Sequence, residues 1–192
     1  MAQNSLNDVQ KIVVIGGSAG SLHVILHVLN HLKADLNIPV VIVLHRKNDS
    51  DSSLSQLMAL RTDLPVKEVD DKEALIPGHV YLAPADYHLL IETNKIFSLD
   101  DSEKINFSRP SIDVTFQTAA EAYGAGVTGI LLSGANADGV EGLEAIHSVK
   151  GIVAVQDPST AQVPYMPQAA INHMQIDKLL NVDQISELIN QL

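Results

Sequence analysis

Three short segments carry residues whose types and spacing could do chemistry. Gly16-Gly17-Ser18-Ala19-Gly20 matches G-x-S-x-G directly after an apolar run, the setting of a nucleophile elbow. There the glycines permit a sharp turn that pushes the serine hydroxyl out, and the following helix N-terminus favours developing negative charge. His45 ends a second apolar run. An imidazole, which titrates near ~6.5 when unperturbed, is suited to take a serine proton at neutral pH. Asp138 lies in Ser133-Gly134-Ala135-Asn136-Ala137-Asp138-Gly139, after a third apolar run, and could fix the tautomer of such an imidazole. Nucleophile, base and carboxylate together would perform acyl transfer. Each has a plainer reading: a phosphate-cradling glycine turn, a surface or core histidine, and an Asp-Gly turn. The phosphate reading fits poorly. The dinucleotide fingerprint needs glycine at Ser18 and Ser21, a carboxylate should stand where His45 does, and no G-K-[ST] is present.

In open parallel sheets ligands bind beyond the carboxyl ends of the strands, so these residues meet only if the runs before them are parallel neighbours. Ile12-Val13-Val14-Ile15 and Val40-Val41-Ile42-Val43-Leu44 read as strands buried on both faces, joined by a helix with Leu22, Ile25, Leu26, Leu29 and Leu32 on one side. A short helix over 54–60 and a short strand over 65–69 follow, then a strand over 80–82. Residues 88–91 and 95–99, with Asn94 at the turn, predict an antiparallel hairpin. Ser111 caps a predicted helix over 112–123 that stops at Gly124. Residues 127–132 form a third strong strand, followed by a helix through Leu143 and Ile146 and a strand over 152–155. A loop with Pro158, Pro164 and Pro167 precedes a last amphipathic helix from Asp183. The expectation is one α/β domain over 1–192, with a polar tail over 1–10: three layers, α/β/α, doubly wound on a mostly parallel sheet with an antiparallel hairpin.

Composition removes several function classes. The chain has 192 residues, 46% hydrophobic and 18% charged, which suits one soluble domain of ~150 residues or somewhat more rather than disorder. Twelve basic residues against 23 acidic give a net charge of −11, the wrong sign for a nucleic-acid backbone or an anionic bilayer surface. No apolar run approaches the ~18 residues of a membrane span, and the first ten residues lack the pattern of a secretory signal. The absence of cysteine excludes disulfides, thiolate zinc sites and cysteine nucleophiles, and fits the cytoplasm.

The order Ser, His, Asp differs from the Ser, Asp, His order of α/β-hydrolases, so that fold is a poor fit. The chain instead resembles the catalytic domain of the chemotaxis protein-glutamate methylesterases of the CheB type. The likeness runs from about Ile12 to the last helix. It is carried by Ile15-Gly16-Gly17-Ser18-Ala19-Gly20, His45 after its strand, Ile76-Pro77-Gly78-His79-Val80-Tyr81-Leu82-Ala83-Pro84, Arg109-Pro110-Ser111-Ile112-Asp113 and Leu132-Ser133-Gly134-Ala135-Asn136-Ala137-Asp138-Gly139. The resemblance implies a Ser18–His45–Asp138 triad that hydrolyses glutamate γ-methyl esters on chemoreceptors, and deamidates receptor glutamines by the same acyl-enzyme route. It implies an oxyanion and substrate loop at Ala19, Gly20, Ala135 and Asn136, with the Ala135 N–H holding the oxyanion. It implies no metal and no cofactor. The family usually has Met-Pro where Arg46-Lys47 stand, glycine at Ser21 and Asn136, and methionine at Ala135. The family's usual N-terminal receiver domain is also missing, so a separate receiver or signalling partner becomes a candidate.

Two further signals call for a reading. His23, His27 and His31 share one helix face at a spacing that can bind a metal, but no acidic residue or cysteine joins them, and a solvated stripe is expected. Arg46, Lys47 and Arg109 fall near the proposed site and could attract a glutamate-rich receptor helix. Two other functions remain open: a weakened relative serving as an interaction module in a signalling assembly, and a nucleotide-binding domain.

Overall fold

Alternation along the strong strands decides which layer each side chain joins. In the computed structural model, which describes residues 10–46 and 53–192, strand β1 (Ile12–Gly17) sends Ile12 and Val14 to one core and Val13 and Ile15 to the other. Both faces are therefore covered, as a parallel sheet requires. Helix α1 (Leu22–Asn30) returns the chain to β2 (Val40–Leu44), which pairs in parallel with β1. Helix α2 (Ser53–Ala59) and strands β3 (Val66–Glu68) and β4 (Val80–Leu82) extend the sheet on that side. The antiparallel hairpin β5 (His88–Ile91) and β6 (Phe97–Asp100) stands apart as a two-stranded sheet. Then come α3 (Ile112–Tyr123), β7 (Val127–Leu131), α4 (Val140–Ser148), β8 (Ile152–Gln156), α5 (Tyr165–His173), β9 (Lys178–Leu180) and α6 (Val182–Asn190).

The seven strands lie in the order β3-β4-β2-β1-β7-β8-β9, all parallel. Apolar residues of α3, α4, α5 and the hairpin fill one core, and those of α1, α2 and α6 the other. This is the expected three-layer, doubly wound architecture. From β1 the chain winds outward in one direction through β2 and in the other through β7, so the loops after β1 and β7 part company above the sheet. Such a switch point is where a crevice opens.

Two elements depart from the sequence reading. The proline-rich stretch read as loop contains α5, and Pro167 is accommodated because it occupies the first helical turn, where an N–H has no intrahelical acceptor. The edge strand β9 was also unexpected: two of its three residues are exposed, so it carries no burial pattern. The hairpin turn falls around Lys95, whose φ of 64° supplies the reversal.

Candidate active site

Parallel pairing carries the candidate residues to one edge. Gly17 pairs with Leu44, and the His45 N–H continues the ladder by donating to the Gly17 carbonyl at 3.1 Å. Ser18, the residue after Gly17, is thus level with His45, the residue after Leu44, on strands that run about 4.8 Å apart. On the other side the Ser18 N–H donates to the Ser133 carbonyl at 2.9 Å, fixing the elbow against the loop after β7. The elbow is tight for identifiable reasons. Gly20 takes φ 77°, and a Cβ on Gly17 would meet Ser21 Oγ at 2.5 Å. Ser21 Oγ in turn donates to the Ser18 carbonyl at 2.7 Å.

Asp138 is fully buried and accepts four hydrogen bonds. His45 Nε2 lies 2.7 Å from Oδ2, the Ile112 N–H donates to Oδ2 at 2.7 Å, and Oδ1 receives Ser111 Oγ at 2.9 Å and the Asp113 N–H at 3.1 Å. The carboxylate sits on the N-terminus of α3, whose dipole adds to these donors. Burial alone would push its pKa up; the His45 bond and the α3 amides outweigh burial and hold it below the usual carboxylate range. An ionised Asp138 can only accept, so His45 Nε2 carries the proton and Nδ1 presents the lone pair. Ser108 Oγ lies 3.3 Å from that nitrogen. Ser18 Oγ makes no hydrogen bond to His45 or to any other described residue.

Backbone amides are also available. The N–H groups of Ala19, Gly20, Ala135 and Asn136 have no acceptor among the described residues, and Ala19 and Ala135 are exposed. Arrays of free N–H groups beside a hydroxyl can stabilise a developing oxyanion. Lined up at one sheet edge are therefore a hydroxyl, an imidazole on a buried carboxylate, and unpaired amides.

Comparison with known proteins agrees with this arrangement. The family model described as CheB methylesterase matches residues 13–189. The chain belongs to the CheB methylesterase family. It is 42% identical over 180 residues to a Leptospira interrogans protein provisionally named protein-glutamate methylesterase/protein-glutamine glutaminase, covering 94% of this chain and 93% of that one. It is 34% identical over 185 residues to the Thermotoga maritima protein-glutamate methylesterase/protein-glutamine glutaminase, of which the match spans 54%. The crystal structure of the Thermotoga maritima CheB methylesterase catalytic domain superposes with a TM-score of 0.90 at 34% identity, over 94% of this chain and 97% of that one.

Within this CheB fold the remaining sequence candidates separate. Arg46 and Arg109 line a cavity of about 370 Å³ with His45, Asp86, Lys104, Phe107 and Ser108. Both cations are already engaged: Arg46 with the Glu68 carboxylate, and Arg109 through Nη1 with the carbonyls of Asp101 at 2.6 Å and Ser102 at 2.8 Å. Lys47 lies outside the described residues. The histidine stripe is turned to other ends: His27 Nε2 meets Asp183 Oδ1 at 2.8 Å and His31 Nδ1 meets the His27 carbonyl at 2.8 Å. No cluster of three or more metal-ligating side chains occurs among the described residues.

Several site residues escaped the sequence reading. Asp113 is buried and mirrors Asp138: its Oδ1 accepts from the N–H groups of Gly139 at 2.9 Å and Gly142 at 2.7 Å, at the start of α4. Each carboxylate thus caps the helix that the other's segment begins. Asn106 Nδ2 reaches Asp113 Oδ2 at 3.2 Å. Burial, then the charge of Asp138, push the Asp113 pKa up to about 7 against the pull of the two glycine amides. Ser133 Oγ bonds the Ala19 carbonyl at 2.7 Å, and Gln156 Oε1 receives the Ser133 N–H at 3.0 Å. Asp113 and Ser133 lie inside segments already singled out in the sequence, Arg109-Pro110-Ser111-Ile112-Asp113 and Leu132 to Gly139, whereas Asn106 and Gln156 lie outside them.

Proposed function

We propose that this chain is a serine esterase that hydrolyses glutamate γ-methyl esters on chemoreceptors, and deamidates receptor glutamines by the same route. The observation that carries the reading is the 2.7 Å bond between His45 and a fully buried Asp138, with His45 level across the strand pair with the serine of a G-x-S-x-G elbow. Ser18 is the nucleophile, His45 the general base and Asp138 the group that fixes its tautomer. Ser18 Oγ adds to the ester carbonyl as its proton passes to His45 Nδ1, and the Ala135, Ala19 and Gly20 amides receive the oxyanion. The C–O bond to the methoxy group then breaks, and His45 returns the proton to the departing methanol. Water, deprotonated by the same histidine, cleaves the acyl-enzyme to a free glutamate carboxylate. With a glutamine substrate the C–N bond breaks and ammonia departs instead. The Ser18–His45 bond is absent at rest and forms with substrate, as catalytic bonds in empty sites commonly do.

Arg46 and Arg109 line the cavity beside His45 and are assigned to substrate recognition through the positive charge they hold at its wall, while their own hydrogen bonds go to Glu68 and to the carbonyls of the 101–102 loop. Lys47 is assigned with them on its position in the chain. No helix among the described residues is long and apolar enough to cross a membrane. The cytoplasm, where receptor signalling helices are reached, is the proposed site of action. The test is methanol release from methylated receptor: Ser18→Ala should lower the rate by about a thousand-fold or more. Retention of turnover would overturn the triad.

A further inference from the structure

The His45 ring has one nitrogen for each neighbour, and the nitrogen needed for chemistry is occupied. Nε2 is committed to Asp138, and the lone pair on Nδ1 faces Ser108 Oγ at 3.3 Å rather than Ser18. A lone pair of this kind accepts one strong donor at a time. The Ser108 hydroxyl has a carbonyl alternative, Asn106 O at 3.4 Å, and Asn136 Nδ2 approaches it at 3.5 Å.

The position of Ser108 is built by an unusual backbone. Residues 105–108 form a tight turn closed by Ile105 N–H to the Ser108 carbonyl at 3.2 Å and Ser108 N–H to the Ile105 carbonyl at 2.9 Å. Its two central residues, Asn106 and Phe107, have φ of 50° and 63°. A phenylalanine in the left-handed region is disfavoured, and Phe107, 98% exposed, gains nothing from burial to offset it. What the turn accomplishes is to bring Ser108 to the imidazole and to the wall of the cavity next to it.

We propose that Ser108 is a positioning residue: its hydroxyl donates to His45 Nδ1 in the resting enzyme and withholds that nitrogen from Ser18 until substrate enters the adjoining cavity. This rests on Ser18 being the nucleophile of the reaction proposed above. Substrate displaces the Ser108 bond, Ser108 turns to the Asn106 carbonyl, and the freed lone pair takes the Ser18 proton. The hydroxyl therefore works against acylation in the ground state.

The experiment uses the full chain with a small neutral methyl ester and, separately, a serine-reactive fluorophosphonate whose adduct is located by peptide mass spectrometry. Ser108→Ala should raise kcat/KM and the second-order phosphonylation rate by about three- to tenfold, the range of one neutral hydrogen bond, through a lower KM with kcat nearly unchanged. Ser108→Thr, which keeps a hydroxyl, should restore wild-type values, and Ser108→Gly should repeat the alanine result if alanine disturbs the turn. The adduct should sit on Ser18 throughout. An unchanged or lowered rate in both Ser108→Ala and Ser108→Gly, with Ser18 still labelled, overturns this inference alone. An adduct on Ser108 makes that residue a nucleophile and overturns the inference together with the triad. An adduct on neither serine does the same.

Discussion

Asp138 and Phe107 stand at two ends of the same site and are held in opposite ways. Asp138 is wholly buried, with every donor around it aimed at its two oxygens. Phe107 is almost wholly exposed, on a backbone that disfavours it. The first arrangement suits a group that must not move while protons pass its neighbour. The second suits a side chain that acquires its partner only from another molecule. On the function proposed above, the contrast separates a chemical end, at the crossing of α3 and α4, from a recognition end, on the loop over 101–110.

The largest effect should come from breaking the chemical end. Asp138→Asn places an amide N–H among donors and leaves His45 free to take the wrong tautomer. A loss on the order of 10⁴ in kcat is expected, the size seen for the equivalent change in a serine-protease triad. Methanol release from methylated receptor measures it, and a loss under tenfold would show that Asp138 only caps α3.

The second carboxylate should show itself in stability. Asp113 has a folded pKa raised from 3.8 to about 7, so the folded state holds its proton more tightly than the unfolded chain does. Its favourable contribution is full below pH ~4 and is lost as pH rises through 7, by about 4 kcal/mol at most. Asp138, lowered, behaves oppositely: its contribution is full above the usual carboxylate range and is lost as pH falls through that range and below it. Asp113→Asn keeps the acceptor for Gly139 and Gly142 but cannot ionise. Urea midpoints should therefore drop between pH 4.5 and 7.5 more steeply in wild type than in the variant; parallel slopes would refute the shift.

How much was legible in the sequence follows the same division. β1, β2, β7 and α3 announce themselves by apolar runs and caps, and a parallel sheet then dictates that Ser18, His45 and Asp138 share an edge. The reciprocal capping by Asp113 was not legible, because it depends on α3 and α4 crossing where Gly142 approaches the Asp113 backbone. Ser108 left no signal either: its turn uses asparagine and phenylalanine where glycine would have marked a reversal. Helix α5 was hidden by Pro164 and Pro167, which read as breakers although both fall at its start. Arg109, grouped with the recognition charges, has its guanidinium tied to loop carbonyls, which composition cannot show.

At the recognition end, Phe107→Ala should lower kcat/KM on methylated receptor about tenfold, as for a moderately important interface aromatic. A small neutral ester, too short to reach the side chain, should be hydrolysed at the wild-type rate. Equal losses on both would make Phe107 a residue that shapes the loop beside His45 rather than one that contacts substrate.

The smallest effect, and the finest test of the division, concerns Lys104. Arg46 and Arg109 each have anionic or carbonyl partners inside the protein, whereas exposed Lys104 lines the same cavity with no acceptor among the described residues. In a chain of net charge −11 such a cation is locally conspicuous, and an acidic protein substrate approaching His45 passes it. Because the charge is exposed, its attraction is screened over ~8 Å at physiological ionic strength and acts on association more than on the bound complex. Lys104→Gln should therefore lower kcat/KM on receptor by about two- to threefold at low salt, leave kcat and small-ester hydrolysis unchanged, and lose its effect by about 0.5 M salt. The counterpart, Arg109→Gln, removes two hydrogen bonds that shape the loop and should depress both substrates at every salt concentration. If the two variants behave alike, recognition and loop architecture are not separable here, and the boundary between the two ends of the site moves inward to His45.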